Sequence, residues 1–149
     1  MKRRAFILAG LSTPLIAHRA FAAVPRVYVV KTPTCGCCSA WVDHARSAGF
    51  LIEVTDVTQE ALWALKESLS ITPELASCHT ARVEGYFIEG HVPADDISRL
   101  LKERPDALGL TVPGMPIGSP GMEMGAQSDA FNTLLVLRDG STQVFERHG

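Results

Sequence analysis

The sequence predicts a single mixed α/β domain in which short strands alternate with short helices. Residues 27–30 (VYVV) form a solid apolar run of β-forming residues, which is typical of a strand buried in a parallel sheet. Further along, apolar residues recur at helical spacing between other such runs, as they do in βαβ units. A predicted export signal leaves 127 of the 149 residues, the length of one ordinary domain with its own core.

Two strand–helix units open the predicted domain. The first strand, residues 27–30, runs into a cysteine-rich turn and then into a helix that ends at Gly49. Residues 50–57 alternate enough to predict the second strand. Thr58 is a suitable cap for the second helix, whose apolar residues follow helical spacing, and Pro73 closes the unit.

A hairpin and a third helix follow these units. Residues 81–83 and 86–88 flank a Glu-Gly pair, which predicts a turn between two strands. Pro93 begins a helix that stops before Pro105. The order strand, helix, strand, helix, hairpin, helix is that of a thioredoxin-like domain, and it comes closest to the compact glutaredoxin-like arrangement.

The C-terminal part is predicted to be a long loop and a second hairpin. Residues 108–127 (LGLTVPGMPIGSPGMEMGAQ) contain Pro and Gly at short intervals without periodicity, and such long loops are usually functional or disordered. Residues 134–137 and 142–145 flank an Asp-Gly turn and predict a hairpin. With no internal repeat in the sequence, residues 23–149 are predicted to form one domain.

The first 22 residues predict a cleaved export signal. Residues 2–4 (KRR) precede an apolar run, and residues 20–22 (AFA) have the small-x-small form that signal peptidase reads. The run is shorter than the roughly 20 residues of a membrane span, so no span is expected in the mature protein. The paired arginines followed by Phe6 also resemble a twin-arginine signal, which leaves the Sec and twin-arginine routes open. We therefore expect a periplasmic protein.

The composition argues against a nucleic-acid partner. The signal contains four of the 14 Lys and Arg residues, so 10 remain against 16 Asp and Glu, a net charge of −6 with His neutral. A polyphosphate partner calls for a basic face instead. An acidic exported domain is compatible with the handling of cations.

Three cysteines within four positions are the strongest chemical signal. Cys35, Cys37 and Cys38 lie where a predicted strand meets the N-terminus of a helix, where backbone N–H groups and the helix dipole favour thiolate. Cys35 and Cys38 have the Cys-x-x-Cys spacing of oxidoreductases. Cys37 is surplus to a dithiol enzyme, because it makes mixed disulfides scramble, whereas a metal site would gain a ligand from it.

Two further donors, Cys78 and His79, precede the predicted hairpin. In thioredoxin-like topology this segment passes close to the N-terminus of the first helix, so a fourth thiol is expected to face the other three. Four thiolates suit one tetrahedral ion or several bridged Cu(I) ions, and the Cys-x-Cys-Cys spacing is awkward for zinc. From the residues alone, a redox pair and a set of two disulfides stay open as alternatives.

Methionines and another histidine add a weaker signal. Met115, Met122 and Met124 all lie in the predicted loop, where a soft thioether suits Cu(I) better than core packing. His91, at the end of the hairpin, either points toward the site or caps a turn. His44 is predicted to be a solvated helical residue.

Three blocks of the sequence together resemble a known bacterial family. The blocks are CGCCSAWVDHARSAGF, SCHTARVEGYFIEGHVPADDISRLL and GLTVPGMPIGSPGMEM. The family, long labelled a domain of unknown function (DUF411), contains exported metal-binding proteins often encoded among copper and silver resistance genes. The resemblance implies a thioredoxin-like fold, a role in periplasmic copper resistance with suggested Cu(I)/Cu(II) interconversion, and Cu(I) bound by four cysteines. These are Cys35, Cys37, Cys38 and Cys78.

The sequence therefore predicts a periplasmic Cu(I)-binding protein of copper or silver resistance. His79 is expected to join the cysteines, and His91 and the loop methionines are expected to be auxiliary ligands. Expected partners are copper or silver ions and periplasmic copper exporters or chaperones. The alternative is a thiol–disulfide oxidoreductase using Cys35 and Cys38, and if the protein is an enzyme, a copper or thiol oxidoreductase is expected.

Overall fold

The structure, a computed structural model, describes residues 24–149 as one seven-stranded sheet with three helices. The strands are β1 (Arg26–Lys31), β2 (Leu51–Asp56), β3 (Thr80–Val83), β4 (Tyr86–Gly90), β5 (Ala107–Val112), β6 (Phe131–Leu137) and β7 (Thr142–His148). The helices are α1 (Gly36–Ser47), α2 (Gln59–Ser68) and α3 (Ala94–Glu103). The predicted signal, residues 1–22, lies outside the described residues. Within the described range, no helix is long and apolar enough to cross a membrane.

The mixed α/β class and the order of the first seven elements are confirmed. The sheet order is β2-β1-β3-β4-β5-β6-β7, with β1 parallel to β2 and antiparallel to β3. β3 and β4 form the predicted hairpin, and β6 and β7 form the predicted C-terminal hairpin. The sequence predicts these elements because each has its own pattern of apolar and turn residues within a short stretch of chain.

The predicted loop over residues 108–127 begins too early. Residues Ala107–Val112 form β5, which pairs parallel with β4 and antiparallel with β6. A Cβ atom on Gly109 would lie 2.1 Å from the carbonyl oxygen of Phe87, so this glycine permits close strand packing rather than a turn. The irregular loop is thus confined to the segment between β5 and β6.

The core fixes α1 against the sheet through Trp41. This side chain is fully buried, and its Nε1–H donates a hydrogen bond to the carbonyl oxygen of Val92 at 2.8 Å. Val27 and Val29 of β1 and Ile97 of α3 belong to the same buried cluster. The first turn of α1 is therefore held in a fixed position relative to β1 and the start of α3.

A buried ion pair joins α2 to the β3–β4 hairpin. Lys66 and Glu89 are both fully buried and form a salt bridge. Thr80 Oγ1 accepts a hydrogen bond from Lys66 Nζ at 2.8 Å and donates one to Glu89 Oε2 at 2.6 Å. Glu89 Oε1 also accepts from the backbone N–H of Ser77 at 2.7 Å. Burial raises the pKa of Glu89, and the nearby Lys66 opposes that rise. The network ties the segment that precedes β3 to β4.

Replacing Glu89 with Gln is expected to destabilise the fold by about 3–5 kcal/mol, because it leaves the Lys66 ammonium buried without a counter-charge. The matched control, Glu53→Gln, removes a half-exposed partner of Arg26 and is expected to cost less than about 1 kcal/mol. Urea unfolding of the reduced, metal-free protein measures both changes. Equal losses in the two variants would show that the buried pair does not hold the fold.

Candidate metal centre

Four cysteine sulfur atoms from two segments meet at the N-terminus of α1. Cys35 is the N-cap residue of α1, and Cys37 and Cys38 lie in its first turn. Cys37 Sγ is 3.6 Å from Cys35 Sγ and 3.7 Å from Cys78 Sγ. All four Sγ atoms lie within 4.8 Å of one another, and we call them the four-cysteine cluster. Their predicted convergence is confirmed as geometry, while their role as ligands stays a prediction.

The strand pairing explains why the two segments meet. Because β1 runs directly into the turn before α1, the N-terminus of α1 lies at the carboxyl end of β1. β3 is antiparallel to β1, and Thr80 at its start pairs with Val30 near the end of β1. The residues just before β3, including Cys78, must therefore lie at the same edge of the sheet as the α1 N-terminus.

The four-cysteine cluster is partly oxidised in the structure. Cys35 and Cys38 are joined by a disulfide, whereas Cys37 and Cys78 are free thiols. Cys38 is fully buried, and the other three are partly exposed. In this form only Cys37 and Cys78 have a thiol that can exchange its proton for a metal ion, and reduction of the disulfide is required before all four sulfur atoms can act.

The thiol of Cys78 is held in its protonated form. Burial, followed by the neighbouring Cys37, raises the pKa of Cys78 to about 12. The thiolate preference predicted for the helix end does not extend to this residue, because Cys78 faces α1 without belonging to it. An ion that binds Cys78 must displace its proton.

His91 presents a lone pair to Cys78. Its Nδ1 lies 2.8 Å from the carbonyl oxygen of Pro120, and since a carbonyl only accepts, Nδ1 bears the hydrogen. In the neutral ring Nε2 is then unprotonated, and it lies 3.0 Å from Cys78 Sγ. Burial lowers the pKa of His91, which favours this neutral ring. A backbone carbonyl that orients the far nitrogen is common among metal-binding histidines.

His79 is fully buried between two aromatic rings. Its ring centroid is 4.5 Å from that of Trp41 and 5.2 Å from that of His91. Nδ1 is 3.5 Å from Cys78 Sγ, and Nε2 has no hydrogen-bond partner among residues 24–149. Burial, and then the nearby His91 and Lys66, lowers the pKa of His79 well below its usual range. Cys78, His79 and His91 form a second donor group with ligand atoms within 4.8 Å.

The Pro/Gly loop between β5 and β6 covers one side of the site. A Cβ atom on Gly121, whose φ is +85°, would lie 2.7 Å from both the carbonyl oxygen of Cys37 and the backbone nitrogen of Trp41. Only glycine permits this close approach to the first turn of α1. The adjacent Pro120 is the residue that orients His91.

The three methionines of this loop lie in different environments. Met115 and Met124 are 53% and 65% exposed, and Met122 is half-buried. Met115 shares a surface hollow with Cys78. Met122 belongs to a turn in which its N–H donates to the carbonyl of Ser119 at 2.8 Å.

His44 and His148 have structural roles that the sequence did not predict. His44 is half-buried rather than solvated, and its Nε2 accepts a hydrogen bond from the backbone N–H of Ala94 at 3.1 Å, which caps α3. His148 Nε2 lies 2.9 Å from Asp96 Oδ2. The absence of a capping side chain at Pro93, the N-cap of α3, was the available signal for His44.

The chain is similar to a known family and to two solved structures. A family model described as a protein of unknown function, DUF411, matches residues 75–122. Two solved structures, copper resistance protein CopG in forms 2 and 1, are similar at 40% and 39% identity, each with a TM-score of 0.78. The alignments cover 85% of this chain and 100% and 98% of theirs, respectively. A search of curated proteins finds no significant match.

Alkylation of Cys78 by iodoacetamide is expected to be slow at neutral pH and to accelerate about tenfold per pH unit, because the thiol form dominates until its pKa of about 12. At pH 8 we expect a rate roughly 100-fold or more below that of free cysteine, about a quarter of which is thiolate. Peptide mass spectrometry of the disulfide form, quenched in acid, gives the rate at Cys78 itself. Reaction at the rate of free cysteine would contradict the raised pKa.

Proposed function

Because this chain belongs to the DUF411 copper-resistance family, we propose that it binds Cu(I) through the four-cysteine cluster and serves in periplasmic copper or silver resistance. The observation that carries the proposal is the convergence of four sulfur atoms, from two segments 40 residues apart, within 4.8 Å. Soft thiolates select Cu(I) and its chemical relatives. Within the described part of the chain, neither donor group at this site contains a carboxylate, the ligand that Mg²⁺ or Ca²⁺ would require.

The arrangement suits a thiolate cluster that holds more than one ion. Cys37 Sγ lies at nearly equal distances from Cys35 Sγ and Cys78 Sγ, so it can bridge ions bound to either of them. A thiol reductant would first convert the Cys35–Cys38 disulfide into two thiols. Each Cu(I) would then replace thiol protons, which pass to water.

We propose His79 and His91 as nitrogen ligands on the inner side of the cluster. Cys78 belongs to both donor groups, so an ion bound to its sulfur lies within reach of these rings. His79 Nδ1, which lies 3.5 Å from Cys78 Sγ, and the carbonyl-oriented ring of His91 fit such a role. Met122 and Met124 are proposed as auxiliary elements of the loop that covers the site.

We further propose a thioredoxin-like class for the domain, residues 23–149. The β2-β1-β3-β4 order, the parallel β1–β2 pair and the helices after β1 and β2 support this class. Residues 1–22 are proposed to be a cleaved export signal that directs the protein to the periplasm. Periplasmic copper exporters or chaperones are the proposed protein partners.

Redox chemistry is a second candidate function, favoured by the disulfide at the N-terminus of α1. One form is Cu(I)/Cu(II) interconversion: two Cu(II) ions would be reduced to Cu(I) by the two electrons released as the thiols of Cys35 and Cys38 form their disulfide, and the two thiol protons would pass to water. The other form is thiol–disulfide exchange by the same pair. The free Cys37 beside this pair argues against a dedicated exchange enzyme.

Anaerobic titration of the reduced protein with Cu(I) is expected to give Cu–S bonding in the sulfur K-edge spectrum. Cys37→Ser and Cys78→Ser are each expected to lower Cu(I) affinity at least about tenfold, or about 1.4 kcal/mol, because each removes a soft ligand. The disulfide form is expected to bind fewer ions. Ser39→Ala, a change on the exposed side of α1, is the control and should bind as the wild type does.

Two results would refute this proposal. One is the absence of Cu–S bonding in the reduced wild-type protein. The other is Cu(I) affinity unaffected by Cys78→Ser, together with insulin reduction that is lost in Cys35→Ser and retained in Cys37→Ser. That second result would support thiol–disulfide exchange instead.

A further inference from the structure

A surface hollow of about 280 Å³ lies beside Cys78, on the side where the chain leaves α2. Its lining residues are Trp63, Pro73, Ala76, Ser77, Cys78, Gly114 and Met115. Trp63 is 39% exposed and Met115 is 53% exposed, so neither side chain is used to fill the core. The solvent-open hollow is thus lined by one residue of the four-cysteine cluster.

Backbone hydrogen bonds hold Met115 next to this hollow. The N–H of Gly114 donates to the carbonyl of Ala76 at 3.0 Å, and Ser77 Oγ donates to the carbonyl of Gly114. These bonds join the start of the β5–β6 loop to the segment that contains Cys78. Met115 is therefore exposed and also anchored, unlike a side chain at a free loop tip.

The lining has the chemistry of a weak site for a soft monovalent cation. The thioether of Met115 is a neutral soft donor, and the indole face of Trp63 attracts cations. Lys66 Nζ is 6.0 Å from the Trp63 ring centroid, and its charge is balanced by Glu89. A neutral donor binds more weakly than a thiolate, so an ion held here is free to move on to Cys78.

We propose that this hollow is the port through which Cu(I) or Ag(I) enters and leaves the four-cysteine cluster, with Met115 and Trp63 holding the ion in transit. The inference rests on the proposed function and deepens it. In the transfer, the bond from the metal to Met115 Sδ breaks as the bond to Cys78 Sγ forms. The oxidation state of the metal does not change, and the Cys78 proton passes to water.

The test is the rate of Cu(I) transfer from its bicinchoninate complex to the reduced mature protein, followed by stopped-flow absorbance. Met115→Leu and Trp63→Leu are each expected to slow transfer about tenfold, equal to about 1.4 kcal/mol in activation free energy, with unchanged affinity and stoichiometry. Tyr28→Leu is the matched control, because Tyr28 is an aromatic residue that is 51% exposed but does not line the hollow. Its transfer rate is expected to equal that of the wild type.

The possible outcomes test the proposed port and the proposed metal binding by the four-cysteine cluster separately. Wild-type rates in Met115→Leu and Trp63→Leu, with normal Cu(I) affinity, would overturn the port and leave the proposed function intact. Loss of bound ions in Met115→Leu would also overturn it, since Met115 would then be a permanent ligand. No Cu(I) uptake by the wild type would overturn the proposed function and the port together. Unfolding midpoints equal to that of the wild type confirm that each variant is folded.

Discussion

The hydrogen bond from the Ser77 backbone N–H to the buried carboxylate of Glu89 fixes the position of the segment that contains Cys78, and the whole site depends on that position. Glu89 is held in turn by Lys66, so α2, β4 and the segment before β3 share one network. A slip of one position in this segment would replace the thiol of Cys78 with a neighbouring side chain. Such a buried pair adds little net stability, but it strongly disfavours alternative positions of this segment.

The order of the first seven elements follows from local patterns, which is why the sequence predicted it. β5 was missed because a strand buried on both faces lacks alternation, and because Gly109 looks like a turn residue. A glycine is required at position 109 because Phe87 approaches it closely from the neighbouring strand, and these two residues are far apart in the sequence. A glycine required by tertiary packing and a glycine required by a turn are identical in the sequence.

The convergence of the four-cysteine cluster was predictable because topology alone determines which chain segments share an edge of the sheet. The finer features of the site depend on side-chain contacts, which the spacing of residues along the sequence does not reveal. Pro120 orients His91, and burial rather than a helix dipole dominates the pKa of Cys78. The sequence does not single out Trp63 as a site residue, because one aromatic residue on an amphipathic helix is ordinarily explained by packing.

Burial acts on the donors of this site in a way that favours a cation as the guest. It raises the pKa of Cys78 and lowers the pKa of His79 and of His91, so without metal the inner donors are all neutral. A thiolate alone, or an imidazolium alone, would be an uncompensated charge in this environment. A monovalent soft ion bound to one thiolate would have no net charge. Burial therefore disfavours an isolated thiolate or imidazolium here, and a bound monovalent cation would remove that penalty.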